Sequence, residues 1–230
     1  MRKSLFTLLM LLTCSLAHAV EYGHYDPKKL LTTSETPTGK QYGFDLAYLD
    51  RILADLASHA SNYPPKFDSP QDQQRATRDA WTVSGMLEIM IRPADASPAL
   101  LLRAAHLNSM GHNLGIPDAA QKANVSFQRT LAATPADPRG NQMYGAFLAG
   151  TGKAIEALPY LQKAWEAGLP DAAYSLGMTH LMLADQTQAL KYLEAYKQLR
   201  PQDTSIDPLL EAMRNGKLKI NNNRGLQKAD

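Results

Sequence analysis

Gly111, Gly145 and Gly177 each follow a bulky residue, respectively Met110, Tyr144 and Leu176, at intervals of 34 and 32 residues. The same two intervals separate Ala123, Ala157 and Ala189, then Phe127, Leu161 and Leu193, then Thr130, Ala164 and Tyr196. Pro135 and Pro201 close the first and third units; in the second, Leu169 takes that place and Pro170 follows one residue late. A register held by so many markers constrains the fold more than any composition figure. Each unit must be one supersecondary element, and such elements bury their apolar faces only by stacking on one another.

The elements read as helices. Phe44, Leu49, Ile52, Leu53 and Leu56 recur at helical spacing, and Tyr63-Pro64-Pro65 ends that segment. Ser69-Pro70 starts a second helix, because serine caps free amides and proline has helical φ at the first position. Its apolar face is Ala76, Ala80, Val83, Leu87, Met90 and Ile91, and Pro93 stops it. Start signals recur at Ser97-Pro98, at Asp118 with Gln121, at Asp137-Pro138, at Asp171, at Asp185 with Gln188 and at Asp207-Pro208. No alternating strand pattern stands out, so the expected class is all-α.

The pattern bulky-Gly, Ala, bulky, Pro resembles the tetratricopeptide repeat (TPR) family over residues 104–203, in units 104–137, 138–169 and 170–203. The departures are Leu107, Asn141 and Ala173 at the usual tryptophan, a third unit that joins early with the alanine-rich start of Sel-like repeats, and Pro159 inside a helix. The resemblance implies a helical-hairpin solenoid of about three repeats with helical caps at both ends. Residues 42–103 read as the N-terminal cap, the alternative being a separate small helical domain, and 204–216 as the C-terminal cap. Residues 20–41 read as a polar flexible arm and 217–230 as a polar, solvated tail.

Residues 1–19 have the form of a secretory signal: basic Arg2 and Lys3, the apolar run Leu5 to Leu12, and Ala17-His18-Ala19 for cleavage. Without Arg2 and Lys3, the remaining Lys and Arg equal the 22 Asp and Glu, so no net charge draws the chain to nucleic acid. The single cysteine, Cys14, leaves with the signal, so no disulfide is expected. Thr13 stands where a lipobox wants a smaller residue, which favours soluble export over lipidation at Cys14. The expectation is a periplasmic or secreted protein of a Gram-negative-type bacterium, with no transmembrane segment after signal cleavage.

No catalytic residue, cofactor or metal site is expected. His106 and His112 lie roughly 240° apart around a helix and cannot join on one metal. Gly150-Thr151-Gly152-Lys153 lacks the strand and spacing of a phosphate loop and reads as a repeat turn. The TPR resemblance implies a concave groove lined by the first helix of each pair. It places there Asn108 and His112, then Arg139, Gln142 and Ala146, then Tyr174, Met178 and Leu181. Such a groove holds a protein or peptide partner, with amides on its backbone and Tyr174 and Met178 on an apolar side chain. The implied function is an exported, non-catalytic scaffold for envelope complexes. Two other readings stand beside it: an enzyme with His59, Asp45 and Glu88 in its N-terminal helices, and a cell-wall polysaccharide binder.

Overall fold

A computed structural model describes residues 21–221 and 225–228 of the chain. The signal sequence read at 1–19, with Cys14, lies outside them. Nine α-helices dominate the described residues: α1 Leu46–Ala60, α2 Pro70–Met90, α3 Pro98–Asn113, α4 Ala119–Ala133, α5 Pro138–Gly150, α6 Ala154–Glu166, α7 Pro170–Met182, α8 Gln186–Leu199 and α9 Asp207–Arg214. The helices α3/α4, α5/α6 and α7/α8 close on each other as hairpins and stack in chain order, giving a TPR-like solenoid.

Local chemistry starts most of these helices. Asp45, Ser69, Ser97, Asp137 and Asp185 each accept a hydrogen bond from the amide three residues on, at 2.8–3.3 Å. Three expected caps differ. Asp118 has a left-handed backbone, φ 58°, and its carboxylate does not reach the amides of α4. At α7 the cap position is Leu169, with Pro170 leading and Asp171 already inside the first turn. At α9 it is Ile206, and Asp207 is helical. In both, the carboxylate still suits the positive end of the helix dipole.

The repeat glycines have a physical task in two of three units. A Cβ built on Gly145 would lie 2.5 Å from Leu161 Cγ, and one on Gly177 would lie 2.6 Å from Leu193 Cγ. These contacts let the paired helices close. Gly111 differs: the nearest atoms to a Cβ there are 3.4 Å away, on Ala119 and Ile116. Its register partner Phe127 turns towards the second unit and stacks on Tyr144, with ring centroids 5.3 Å apart. Helix α6 runs unbroken through Pro159, at the loss of one backbone bond.

The N-terminal region departs from the expectation of a flexible arm. Tyr22 and Leu30 are completely buried in the core formed by α1, α2 and α3. Tyr22 donates to Asp79 of α2, and Asp55 of α1 accepts from the Gly23 amide and the Tyr25 hydroxyl. The segment is thus fastened to both helices. After a 3-10 turn, Pro27–Leu30, the chain forms an antiparallel hairpin of β1 Leu31–Thr36 and β2 Gly39–Phe44, in register Leu31↔Phe44. A second hairpin pairs β3 Leu218–Asn221 with β4 Gly225–Lys228, within the segment read as a solvated tail. These two hairpins are short additions to a fold that is otherwise helical among the described residues. In β1 no residue is buried, so the apolar alternation that marks a half-buried strand never arises.

Helix α2 is tied to the first repeat at its far end. Arg129 donates to the carbonyls of Ile91 and Pro93, both at 2.6 Å, and satisfies groups that the end of a helix leaves free. Lys122 pairs with Glu88 nearby, at 2.8 Å. At the other end of the stack, Ile206, Leu210, Met213 and Leu218 cover Leu181, Ala189 and Leu193.

Candidate functional site

The first helices of the three hairpins, α3, α5 and α7, line one concave groove with a volume of about 440 Å³. The α1–α2 loop closes one end through Ser61, Asn62 and Tyr63, and Tyr63 is 80% exposed. The helical lining comes from two adjacent stripes. His112, Ala146 and Met178 follow one; Asn113, Phe147 and Thr179 follow the next.

Among the described residues, no Lys, Arg, Asp or Glu lines this groove. His106 does, and burial pushes its imidazole down to about 4, with Arg139 adding to the effect. It is therefore neutral at pH 7. Met143, Met178 and Met182 supply thioethers at its surface, of which Met182 is the most exposed, while Met110 beneath them belongs to the core. Unbranched thioether side chains adapt to differently shaped apolar partners. The polar groups are neutral amides and hydroxyls. Gln142 Nε2 donates to Ser175 Oγ at 3.0 Å, and Ser175 in turn donates to the Asp171 carbonyl. Tyr174 leans on Tyr196, with ring centroids 5.4 Å apart, and partial burial raises its hydroxyl above the ordinary phenol range.

Of the residues expected in the groove, His112, Gln142, Ala146, Tyr174 and Met178 line it. Asn108 does not. Its side chain is buried, accepting from Ser84 Oγ at 2.7 Å and donating to the Ala104 carbonyl at 2.9 Å. Helix α2 packs on α3 there and takes the amide that the repeat register assigns to a ligand. Arg139 also falls outside the lining. It is exposed at the start of α5, where its charge reaches His106 and Asp50. Leu181 is core, against Leu193 and Leu210. The sequence reading missed Ser109, Asn113, Met143, Phe147 and Ser175. Each stands one position after a residue of the expected stripe, within the width a helix presents to a groove.

The residues weighed for catalysis are not brought together. Asp45 caps α1, Glu88 pairs with Lys122, and His59 is buried against Phe67 with Nδ1 3.1 Å from the Lys66 carbonyl. Among the described residues no cluster of three His, Cys, Asp or Glu could hold a metal, and no helix is long and apolar enough to cross a membrane. Gly150 to Lys153 form the α5–α6 turn, with Gly152 at φ 84°.

No protein-family model and no curated protein matches the chain. Among solved structures, it is similar to a thermophilic TPR protein of Thermus thermophilus, with a TM-score of 0.51 and 12% identity. The match covers 74% of this chain and 92% of that one. This likeness shows the fold, a TPR-like stack of helical hairpins.

Proposed function

We propose that the protein is an exported, non-catalytic scaffold that holds an extended segment of a protein partner in the groove of α3, α5 and α7. A TPR-like fold suits protein interaction. The observation that carries the reading is that, among the described residues, no Lys, Arg, Asp or Glu lines a groove that crosses all three hairpins. A segment with apolar and neutral side chains enters such a groove without leaving a buried ion unpaired. The thioethers and Tyr174 take its apolar side chains, and Gln142 and Asn62 offer amides to its backbone. A partner anchored by its terminal carboxylate does not suit it, since Arg139 lies outside. The envelope location rests on the form of residues 1–19, and assembly or maturation of an envelope complex is the role that fits such a scaffold there.

Photocrosslinking in living cells tests this. A crosslinker at Tyr174 should capture one envelope protein that a crosslinker at exposed Lys191 does not. A spread of unrelated adducts, equal at both positions, refutes a specific groove partner. The amino-terminal sequence of the envelope-fraction protein tests export: it should begin at Val20, and an intact Met1 would refute cleavage.

A further inference from the structure

A second candidate site lies outside the groove, on the outer face of α2. Trp81 is 66% exposed there, an unusual setting for the largest side chain. It lines an open cleft of about 610 Å³, walled on the far side by the turn Gly115-Ile116-Pro117. Gln74, Arg78 and Trp81 follow each other at helical spacing on one face, with Gln73 beside them. Neither glutamine side chain makes a hydrogen bond among the described residues, and Arg78 enters none of their ion pairs. The cleft thus presents a flat aromatic ring, two planar amides and one cation whose charge is not neutralised by an ion pair. Among the described residues, no carboxylate lines it.

We propose that this cleft binds an acidic glycan, one sugar ring lying on the Trp81 indole and its carboxylate on Arg78. The apolar C–H face of a pyranose matches the indole in size and leaves the sugar hydroxyls at the rim. There each glutamine amide offers a donor and an acceptor to neighbouring hydroxyls. The guanidinium fork fits a carboxylate with two parallel bonds, which makes an acidic sugar a better ligand than a neutral one. A proline-rich peptide would also stack on an exposed aromatic ring, but it brings no negative charge to Arg78. The cleft offers a single flat ring and the side of a helix. This site is independent of the groove, and either can fail without the other.

The test uses the purified protein and the resonances of its two indoles, Trp81 and Trp165. Trp165 is half-buried against Tyr192 in the repeats and serves as an internal control. The probes are trigalacturonate, its neutral methyl ester, and a decaproline peptide. Trigalacturonate should move the Trp81 indole N–H signal and leave that of Trp165 in place. Trp81→Ala should weaken this binding at least tenfold, and Arg78→Gln should bring trigalacturonate down to the level of its methyl ester. Because Trp81 is exposed, both variants should unfold at the same temperature as the parent. An unmoved Trp81 signal at millimolar sugar overturns the site, and so does a response to decaproline alone. Equal affinity for the acidic and neutral sugars in the parent overturns the role given to Arg78.

Discussion

Leu161 of α6 sits so close over Gly145 of α5 that a single added methyl carbon would lie 2.5 Å from its Cγ. The carbonyl of Ala157 stands 3.2 Å from the same point, so the leucine cannot relieve the clash by turning alone. Gly145→Ala should therefore destabilise the protein by about 1–3 kcal/mol, as overpacking does. Gly177→Ala should do the same, since it meets Leu193 and its backbone amide. Gly111→Ala is expected to be neutral, or stabilising by up to about 1 kcal/mol through helix propensity. Urea unfolding of the three variants checks the order. Equal losses at all three would mean that the first hairpin closes as tightly as the others.

Asn108 is the repeat-register residue that serves the fold in place of a ligand. Asn108→Ala leaves the Ser84 hydroxyl without its buried acceptor. The expected cost is about 1–3 kcal/mol, with no loss of partner capture at Tyr174. Gln142→Ala, on the groove surface, should show the opposite pattern: little change in the unfolding midpoint and weaker capture.

His106 gives the groove a dependence on pH. Burial first, and Arg139 second, lower its folded value to about 4, below the ordinary histidine value of 6.5. The folded state thus favours the neutral ring. This penalty on the charged ring is absent above pH 6.5 and grows as the pH falls towards 4, to about 3 kcal/mol in total. His106→Gln should flatten this part of the stability curve, measured as the urea midpoint at pH 7 and pH 4.5. An unchanged slope in the variant would show that another group titrates there.

Tyr22 tests how firmly the first described residues belong to the fold. Its ring is completely buried among α1 and α2 and meets Tyr25, His59 and Phe67 edge-on. Tyr22→Ala should cost about 3–5 kcal/mol. Tyr22→Phe should cost well under that, because the hydroxyl's bond to Asp79 is long, 3.4 Å. Thermal unfolding of the pair distinguishes a docked segment from a loose one, which would tolerate both changes.

Much of the solenoid is legible in the sequence, because its signals are local or periodic. Ser69, Ser97, Asp137 and Asp185 announce helix starts by hydrogen bonds within four residues of chain. Glycines 145 and 177 with leucines 161 and 193 announce the hairpins by a spacing that the contacts require. The β1–β2 hairpin is not legible, since Thr32, Thr33 and Ser34 face solvent and carry no pattern. Tyr22 is not legible as core either. One aromatic residue in a polar stretch has no period, and its burial depends on helices more than 30 residues away. The groove is legible to the extent that the repeats build it. Asn108 is lost to α2 and Tyr63 arrives from a loop, and both lie in or against parts of the chain that do not repeat.

The buried side chains fall into three groups along the stack: one under the N-terminal helices, one running through the hairpins from Ala105 of α3 to Leu176 of α7 and Tyr192 of α8, and one around α8 and α9. Helices α3 and α7 each stand at a boundary between two groups. Neighbours in such an array support one another only across shared faces, so its ends can open while the middle holds. A segment lying in the groove would touch the first helix of every hairpin at once. It would act as a strap across the joints, raising the free energy of opening at each of them together. Slow amide exchange would then spread from the middle hairpin to both ends when the groove is filled, giving a direct readout of occupancy.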